Sequence, residues 1–205
     1  MKKLFSFALV CALFTGCAHK AEFKNGADVA PYDENILVAN AMRETQIYIP
    51  ADIMSEQTFV SSTSLGKKKD LTLSLGEFVG GETKRFIGSY LLRANLVNDE
   101  KLISQTALLI VPQISDFKFG FYSADGFDVT AKPFISYDLK LKILKNGKPI
   151  YNKTISTNER NFGDSEFFGG GDGSYEQLAE IFQKALANDY AIHAREIIDT
   201  INLAD

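Results

Sequence analysis

The side chains that could do chemistry are few. The chain holds two histidines and two cysteines. His193 lies on a segment that reads as helix, three residues before Glu196, a spacing that puts imidazole and carboxylate on one face as a metal pair would require. Zinc takes three or four protein ligands, and no cysteine or second ordered histidine completes the set, so His193 is expected at a helix surface or core edge. His19 lies too close to the start of the chain for a rigid site. There is no Gly-x-Ser-x-Gly elbow, and a serine triad would have to use His193, which no neighbouring residue recommends. Asp125, Asp128, Asp164, Glu166 and Asp172 are loop acids whose spacing matches no calcium loop, and they are expected to be solvated. Gly169-Gly170-Gly171-Asp172-Gly173-Ser174 could offer backbone N–H groups to an anion, but it lacks the lysine of a P-loop and follows no strand directly, so it reads as a mobile connection. Phe167 and Phe168 beside it cannot both be buried easily in a loop. They either form a patch facing a partner or lipid, or one of them plugs the core. No catalytic residue, cofactor or metal is assigned, and the chain is not expected to be an enzyme.

The cysteines matter by position. Lys2 and Lys3 precede an apolar-to-small run from Leu4 to Leu13, and Phe14-Thr15-Gly16-Cys17 stands where an export signal would be cut. The apolar run is about 12 residues against the roughly 20 that a membrane-spanning helix needs. Leu13-Phe14-Thr15-Gly16-Cys17 resembles the lipobox of bacterial lipoproteins, with Phe14 where that pattern usually has Leu. An ordinary secretory signal would also accept Thr15, Gly16 and Ala18. The lipobox resemblance implies a signal peptide over 1–16, acyl chains such as palmitate on Cys17 and a membrane anchor. Ala18 in the next position implies the outer membrane, with the domain facing the periplasm. Cys11 would leave with the signal, so no disulfide is expected in the mature domain.

Cleavage after Gly16 would remove two lysines and no acids, taking the net charge of −4 two units further negative. That balance disfavours a nucleic-acid partner, which requires a basic face. Residues 17–35 show no sustained apolar period and read as a lipid-anchored flexible tether. Residues 36–205, about 170 in number, suit one domain.

Elements that could position these residues follow from periodicity. Glu44 to Ile49 and Thr58 to Ser62 read as short strands, and Leu71, Leu73 and Leu75 alternate with Thr72 and Ser74 as a strand with one buried face. Ser74-Leu75-Gly76-Glu77 has capping-box form, opening a helix whose stripe runs from Val79 to Val97, with Gly80 and Gly81 delaying its start to about Glu82. Ala107 to Val111, ending at Pro112, reads as a strand covered on both faces, followed by a second with Phe117, Phe119 and Phe121 on one face. Ile135, Tyr137, Leu139, Leu141 and Ile143 alternate cleanly, and Asn146-Gly147 suits a type I′ turn. A two-residue loop would set Leu141 against Asn152 on the return strand, which therefore lies at an edge or carries a bulge. Ser174-Tyr175-Glu176-Gln177 is a second capping-box form before a helix reaching Ile201, with a break possible at Asn188-Asp189.

This layout resembles YajG-like periplasmic lipoproteins and the auxiliary lipoproteins of bacterial ABC-type transport systems. The likeness lies in the lipobox, the strand-helix-strand passage ending in Leu109-Ile110-Val111-Pro112, and the Asn146-Gly147-Lys148 hairpin before a long terminal helix. It implies no catalytic residues and an envelope role in assembly, transport or surface maintenance. The export signal, the absence of a catalytic constellation and the acidic balance lead to the expectation of a non-enzymatic anchored protein that binds another envelope component, with an envelope protein as partner. The expected fold is one α+β domain, an antiparallel or mixed sheet packed by two helices. An alternative is a carrier of a small apolar molecule or lipid, with Phe117, Phe119, Phe121, Phe134 and Tyr137 lining a cavity.

Overall fold

The structure, a computed structural model, describes residues 18–25, 28–67, 69–123, 130–167 and 172–204. In chain order the strands are β1 (His19–Lys20), β2 (Glu44–Tyr48), β3 (Gln57–Phe59), β4 (Leu71–Leu73), β5 (Arg93–Val97), β6 (Leu108–Ser123), β7 (Thr130–Lys145), β8 (Lys148–Thr157), β9 (Asn161–Phe162) and β10 (Glu166–Phe167). The helices are α1 (Ala51–Met54), α2 (Leu75–Gly88) and α3 (Asp172–Leu203). Among the described residues the strands form a main sheet ordered β10-β7-β6-β2-β5, with β8 and β9 also on β7, and a small sheet ordered β1-β4-β3. β2 pairs parallel with β5 and β6, whereas β7 pairs antiparallel with all its neighbours. The result is the expected α+β unit, with a mixed sheet and a long C-terminal helix.

β6 joins two patterns that the sequence presents as separate strands. Leu108 and Ile110 are buried in its first half, and Phe117, Phe119 and Phe121 in its second, so the inward parity changes from even to odd. Asp116, with φ of 52°, lies where the register steps from Ser115 opposite Asp138 to Lys118 opposite Ser136. The extra residue is a bulge, and it turns both halves of β6 toward the helices while β7 keeps its odd residues inward throughout. Leu109 and Val111, expected under cover, are only half-buried on the opposite face. Pro112 lies inside the strand rather than at its end, two residues beyond Ile110, where pairing with β2 stops and that side needs no N–H donor. The β7–β8 hairpin turns at Asn146-Gly147, both with positive φ. β8 is an edge strand and also bulged, and Leu141 comes opposite Lys153 instead of Asn152.

α2 begins at Leu75, capped by the Ser74 hydroxyl accepting from the Glu77 N–H at 3.0 Å. Its glycines do not delay it. A Cβ on Gly80 would come within 2.9 Å of Leu96, and one on Gly81 within 2.5 Å of Phe23, so both let neighbours approach closely. The helix ends at Gly88 rather than reaching 97; Ala94 and Val97 belong to β5, because Arg93–Val97 finds a parallel partner in β2. α3 begins before the expected Ser174 cap and runs unbroken through Asn188-Asp189. Ser174 is inside the helix, its buried hydroxyl without a partner among the described residues.

The two long helices lie side by side in the same direction. Phe78 stacks on Phe182 at 4.9 Å, and Phe86 stacks on Tyr190 at the same spacing. Phe182 also meets Phe117 of β6 at 5.0 Å and Tyr137 of β7 at 5.2 Å, so one ring contacts both helices' partners in the sheet.

The tether expected over 17–35 is, in its described part, packed against this core. β1 pairs with β4, Phe23 meets Phe78 edge-on at 5.9 Å, and Gln183 exchanges hydrogen bonds with both backbone groups of Lys24. Ala21, Tyr32 and Ile36 are buried. Their irregular spacing hides them from a periodicity search, because beyond the two residues of β1 this strap forms no regular element. Its firmest contact is polar: the Tyr32 hydroxyl donates at 2.5 Å to Oε1 of fully buried Glu82, which also takes Arg85 Nε at 2.8 Å. Glu82 Oε2 has no partner among the described residues.

Two substitutions measure these contacts by urea unfolding. Phe182→Ala should cost about 3–5 kcal/mol, the usual loss for a buried aromatic ring. Tyr32→Phe should cost about 1–3 kcal/mol by stripping a donor from a buried carboxylate; an unchanged midpoint would show that this hydrogen bond adds nothing to stability.

Candidate functional site

Cys17 and Phe168 lie outside the described residues, while Phe167 sits on β10, 73% exposed. The end of the domain next to Cys17 is well defined. His19 N–H donates to Asp70 O at 2.8 Å, fixing β1, and two residues of chain reach no further than about 7 Å. The His19 ring lies 5.7 Å from Tyr175, and the single proton of the Tyr175 hydroxyl is shared between two acceptors in reach, the carbonyls of Gly66 at 2.7 Å and Lys69 at 2.8 Å. Tyr175 in turn lies 5.0 Å from Phe121. The final residues of β6, the first of β7, the β10 strand and the first turn of α3 are therefore gathered where the chain leaves toward Cys17.

Strand register then decides what that end shows on the face away from the helices. Lys118 pairs with Ser136, Gly120 with Phe134, Tyr122 with Lys132, and Phe167 with Thr130, and all of these alternate with inward-facing residues. Phe134 is only 2% exposed because Phe162 covers it at 5.6 Å and the Arg160 guanidinium at 4.7 Å. Gly120 makes room, since a Cβ there would lie 2.8 Å from the Phe134 ring. Tyr122 and Phe162, 6.4 Å apart, remain about half exposed at 52% and 49%. Lys118, Lys132 and Arg160 are exposed among these rings. Rings that carry cations beside them can rest on a surface that is part apolar and part anionic. Of this patch, only Phe167 stood out in the sequence. Tyr122 and Phe162 were missed, although a tyrosine on the polar phase of an alternating strand was a readable sign of exposure.

A second polar constellation lies at the edge of the core between β7, β8 and α3. The Tyr137 hydroxyl donates to Asp189 Oδ2 at 2.6 Å, and Ser156 also hydrogen-bonds this carboxyl. Burial pushes the Asp189 carboxyl up to about 6 against the pull of those hydrogen bonds and of His193. Burial and the Asp189 charge raise the Tyr137 hydroxyl as well. Ser156, Asp189 and His193 are the residue types of a hydrolytic triad, but the arrangement differs from one. The carboxylate takes the hydroxyls directly, while His193 Nδ1 faces Glu196 Oε2 at 3.6 Å, and Glu196 also pairs with Lys153. His193 is half-buried, in keeping with the helix-surface or core-edge position expected in the absence of further metal ligands.

Grooves add little chemistry. One of about 540 Å³ runs between β9, β10 and α3, with Asp164, Glu166, Gln177, Glu180 and Lys184 in its walls. Another of about 450 Å³ lies near the β7–β8 turn, lined by Ile103, Ala107, Leu109 and Leu144. None of the five rings expected to line a cavity borders either one; Phe117, Phe119 and Tyr137 are packed against α3 rings instead. Among the described residues no three His, Cys, Asp or Glu side chains cluster as metal ligands. Asp164 and Glu166 stand at the first groove, and Asp125 and Asp128 lie outside the described residues.

Comparison places the fold among known ones. No family model matches the chain, and no curated protein matches it. Its structure is similar to that of a Xanthomonas campestris protein of the DUF330 family, with a TM-score of 0.57 at 12% identity, over 91% of this chain and 98% of that one. A Helicobacter pylori protein described as a neuraminyllactose-binding hemagglutinin homolog gives a TM-score of 0.42 at 9% identity, over 85% of this chain and 95% of its own. The DUF330 likeness is one of fold.

The Asp189 site generates a pH test. A carboxyl whose folded pKa lies near 6, above its ordinary 3.8, binds its proton more tightly in the folded state, so its contribution to stability declines as pH rises from about 4 to 6. Asp189→Asn keeps an acceptor for Tyr137 and removes the buried charge. At pH 7 the variant should melt at the same temperature or a few degrees higher, and its advantage should vanish at pH 4. A parent that gains stability over the variant between pH 4 and 7 contradicts this assignment.

Proposed function

We propose that the chain is a non-enzymatic protein of the bacterial envelope, anchored by acyl chains on Cys17, that acts by binding another envelope component. The observation that carries this reading is the sequence Lys2 to Cys17, a basic start, a short apolar run and Thr15-Gly16-Cys17, placed directly before a domain whose packing begins at His19. Two features support it. No helix of the described residues is long and apolar enough to cross a membrane, so attachment through helices would have to come from elsewhere. Asp189, Glu196 and His193 are engaged with one another and with neighbouring hydroxyl and ammonium groups, and an exposed surface of rings and cations is the domain's most distinctive outward feature. Ala18 after the cysteine supports an outer-membrane location with the domain in the periplasm. The resemblance of the sequence layout to YajG-like and ABC-type transport auxiliary lipoproteins supports a role in assembly, transport or surface maintenance.

Growth with labelled palmitate tests the anchor. The parent should carry label and partition into the detergent phase, and Cys17→Ser should lose both. Equal behaviour of the two forms would remove the anchoring reading. Mild crosslinking in intact cells should then recover one defined envelope protein with the parent; recovery of none across growth conditions would remove the binding role.

A further inference from the structure

We infer that the Cys17 end of the domain lies against the bilayer, with Tyr122, Phe162 and Phe167 at the headgroup boundary and Lys118, Lys132 and Arg160 facing lipid phosphates. This rests on the lipid anchor proposed above and goes beyond it, because an anchor on a long flexible tether would leave the domain's orientation free. The strap removes that freedom. β1 starts two residues after Cys17, a reach of about 7 Å. Acyl chains on Cys17 would enter the membrane, so β1 and whatever surrounds it must sit at the membrane surface.

What surrounds it is chemically suited to that place. The path from anchor to patch is short, running from His19 to Tyr175 at 5.7 Å, from Tyr175 to Phe121 at 5.0 Å, and to Tyr122 as the next residue. The amphipathic Tyr122 ring favours the boundary between acyl chains and headgroups, the apolar Phe162 and Phe167 rings gain by leaving water beside it, and long cationic side chains can reach past them to phosphate. The charge arrangement also fits. In a chain of net charge −4, this face at this end presents Lys118, Lys132 and Arg160, whereas Asp164 and Glu166 face the groove beside α3. Basic side chains close to an anionic membrane surface are drawn to it.

The chain contains no tryptophan, so each introduced indole is a unique probe. Full-length acylated protein carrying Phe167→Trp, Tyr122→Trp or, at a distance, Leu102→Trp is reconstituted into phosphatidylethanolamine–phosphatidylglycerol vesicles with brominated acyl chains, and flotation and fluorescence are read together. The protein should float, and emission from Trp at 167 or 122 should fall at least about twofold relative to unbrominated vesicles, with Leu102→Trp unchanged. Flotation without quenching at 167 and 122, or with equal quenching at 102, overturns the orientation while leaving the anchor standing and the patch free for a protein. Failure to float takes down the anchor and the orientation together. Should Phe167→Trp fail to fold, Tyr122→Trp decides alone.

Discussion

The Phe182 ring is the contact on which the remaining architecture depends. It stacks on Phe78 of α2 and touches Phe117 of β6 and Tyr137 of β7, so one side chain from the last helix joins both layers. The second stack, Phe86 on Tyr190, and the 2.6 Å hydrogen bond between Thr83 and Tyr190 hydroxyls repeat the contact two turns further along both helices. Repetition at the same spacing is possible only for helices that run in the same direction. Parallel alignment in turn dictates what the sheet must do. β6 has to present apolar side chains along its whole length to meet the helices, and the bulge at Asp116 lets it do so although its two halves are written in opposite phase.

Legibility in the sequence followed periodicity closely. Leu71 and Leu73, the run from Ile135 to Ile143, the Asn146-Gly147 turn and the terminal helix were readable because each repeats one local rule several times. The expected bulge or edge on the return strand came from counting register across that turn, and β8 has both. Three features were not readable. The change of phase in β6 depends on one residue in the left-handed region, which sequence alone does not announce for an aspartate. The end of α2 is set by β5 finding β2, a tertiary preference that overrides a continued apolar stripe. The strap over 18–36 contributes scattered contacts through Phe23, Lys24 and Tyr32, which have no period to detect. At the candidate site, Phe167 was visible as one of an adjacent aromatic pair, whereas Tyr122, Phe162 and Arg160 became a patch only through the pairing of β6, β7 and β9.

The strap also changes how the domain relates to its N-terminus. Between β1 and the helices it makes a backbone pairing with β4, an aromatic contact at Phe78, a reciprocal amide exchange at Gln183 and the buried Tyr32–Glu82–Arg85 group. These contacts span both long helices and the small sheet. Burying Glu82 is costly by itself, and the hydroxyl and guanidinium directed at one of its oxygens offset that cost. The strap is thus structurally part of the domain, and whatever holds Cys17 holds the core through only a few residues.

Closure by α3 has a consequence for how the protein is made. The rings that Phe182 joins are all synthesised before it, and until the final helix emerges the part of the sheet's inner face that lies under α3 has no lid. An incomplete chain therefore exposes Phe117, Phe119, Tyr137 and their neighbours to whatever else is present, the situation in which contacts distant in sequence leave nascent proteins prone to aggregate. A ribosome that stops early on this message releases sticky waste, and a cell making it has reason to keep the polypeptide shielded until its last turn is finished.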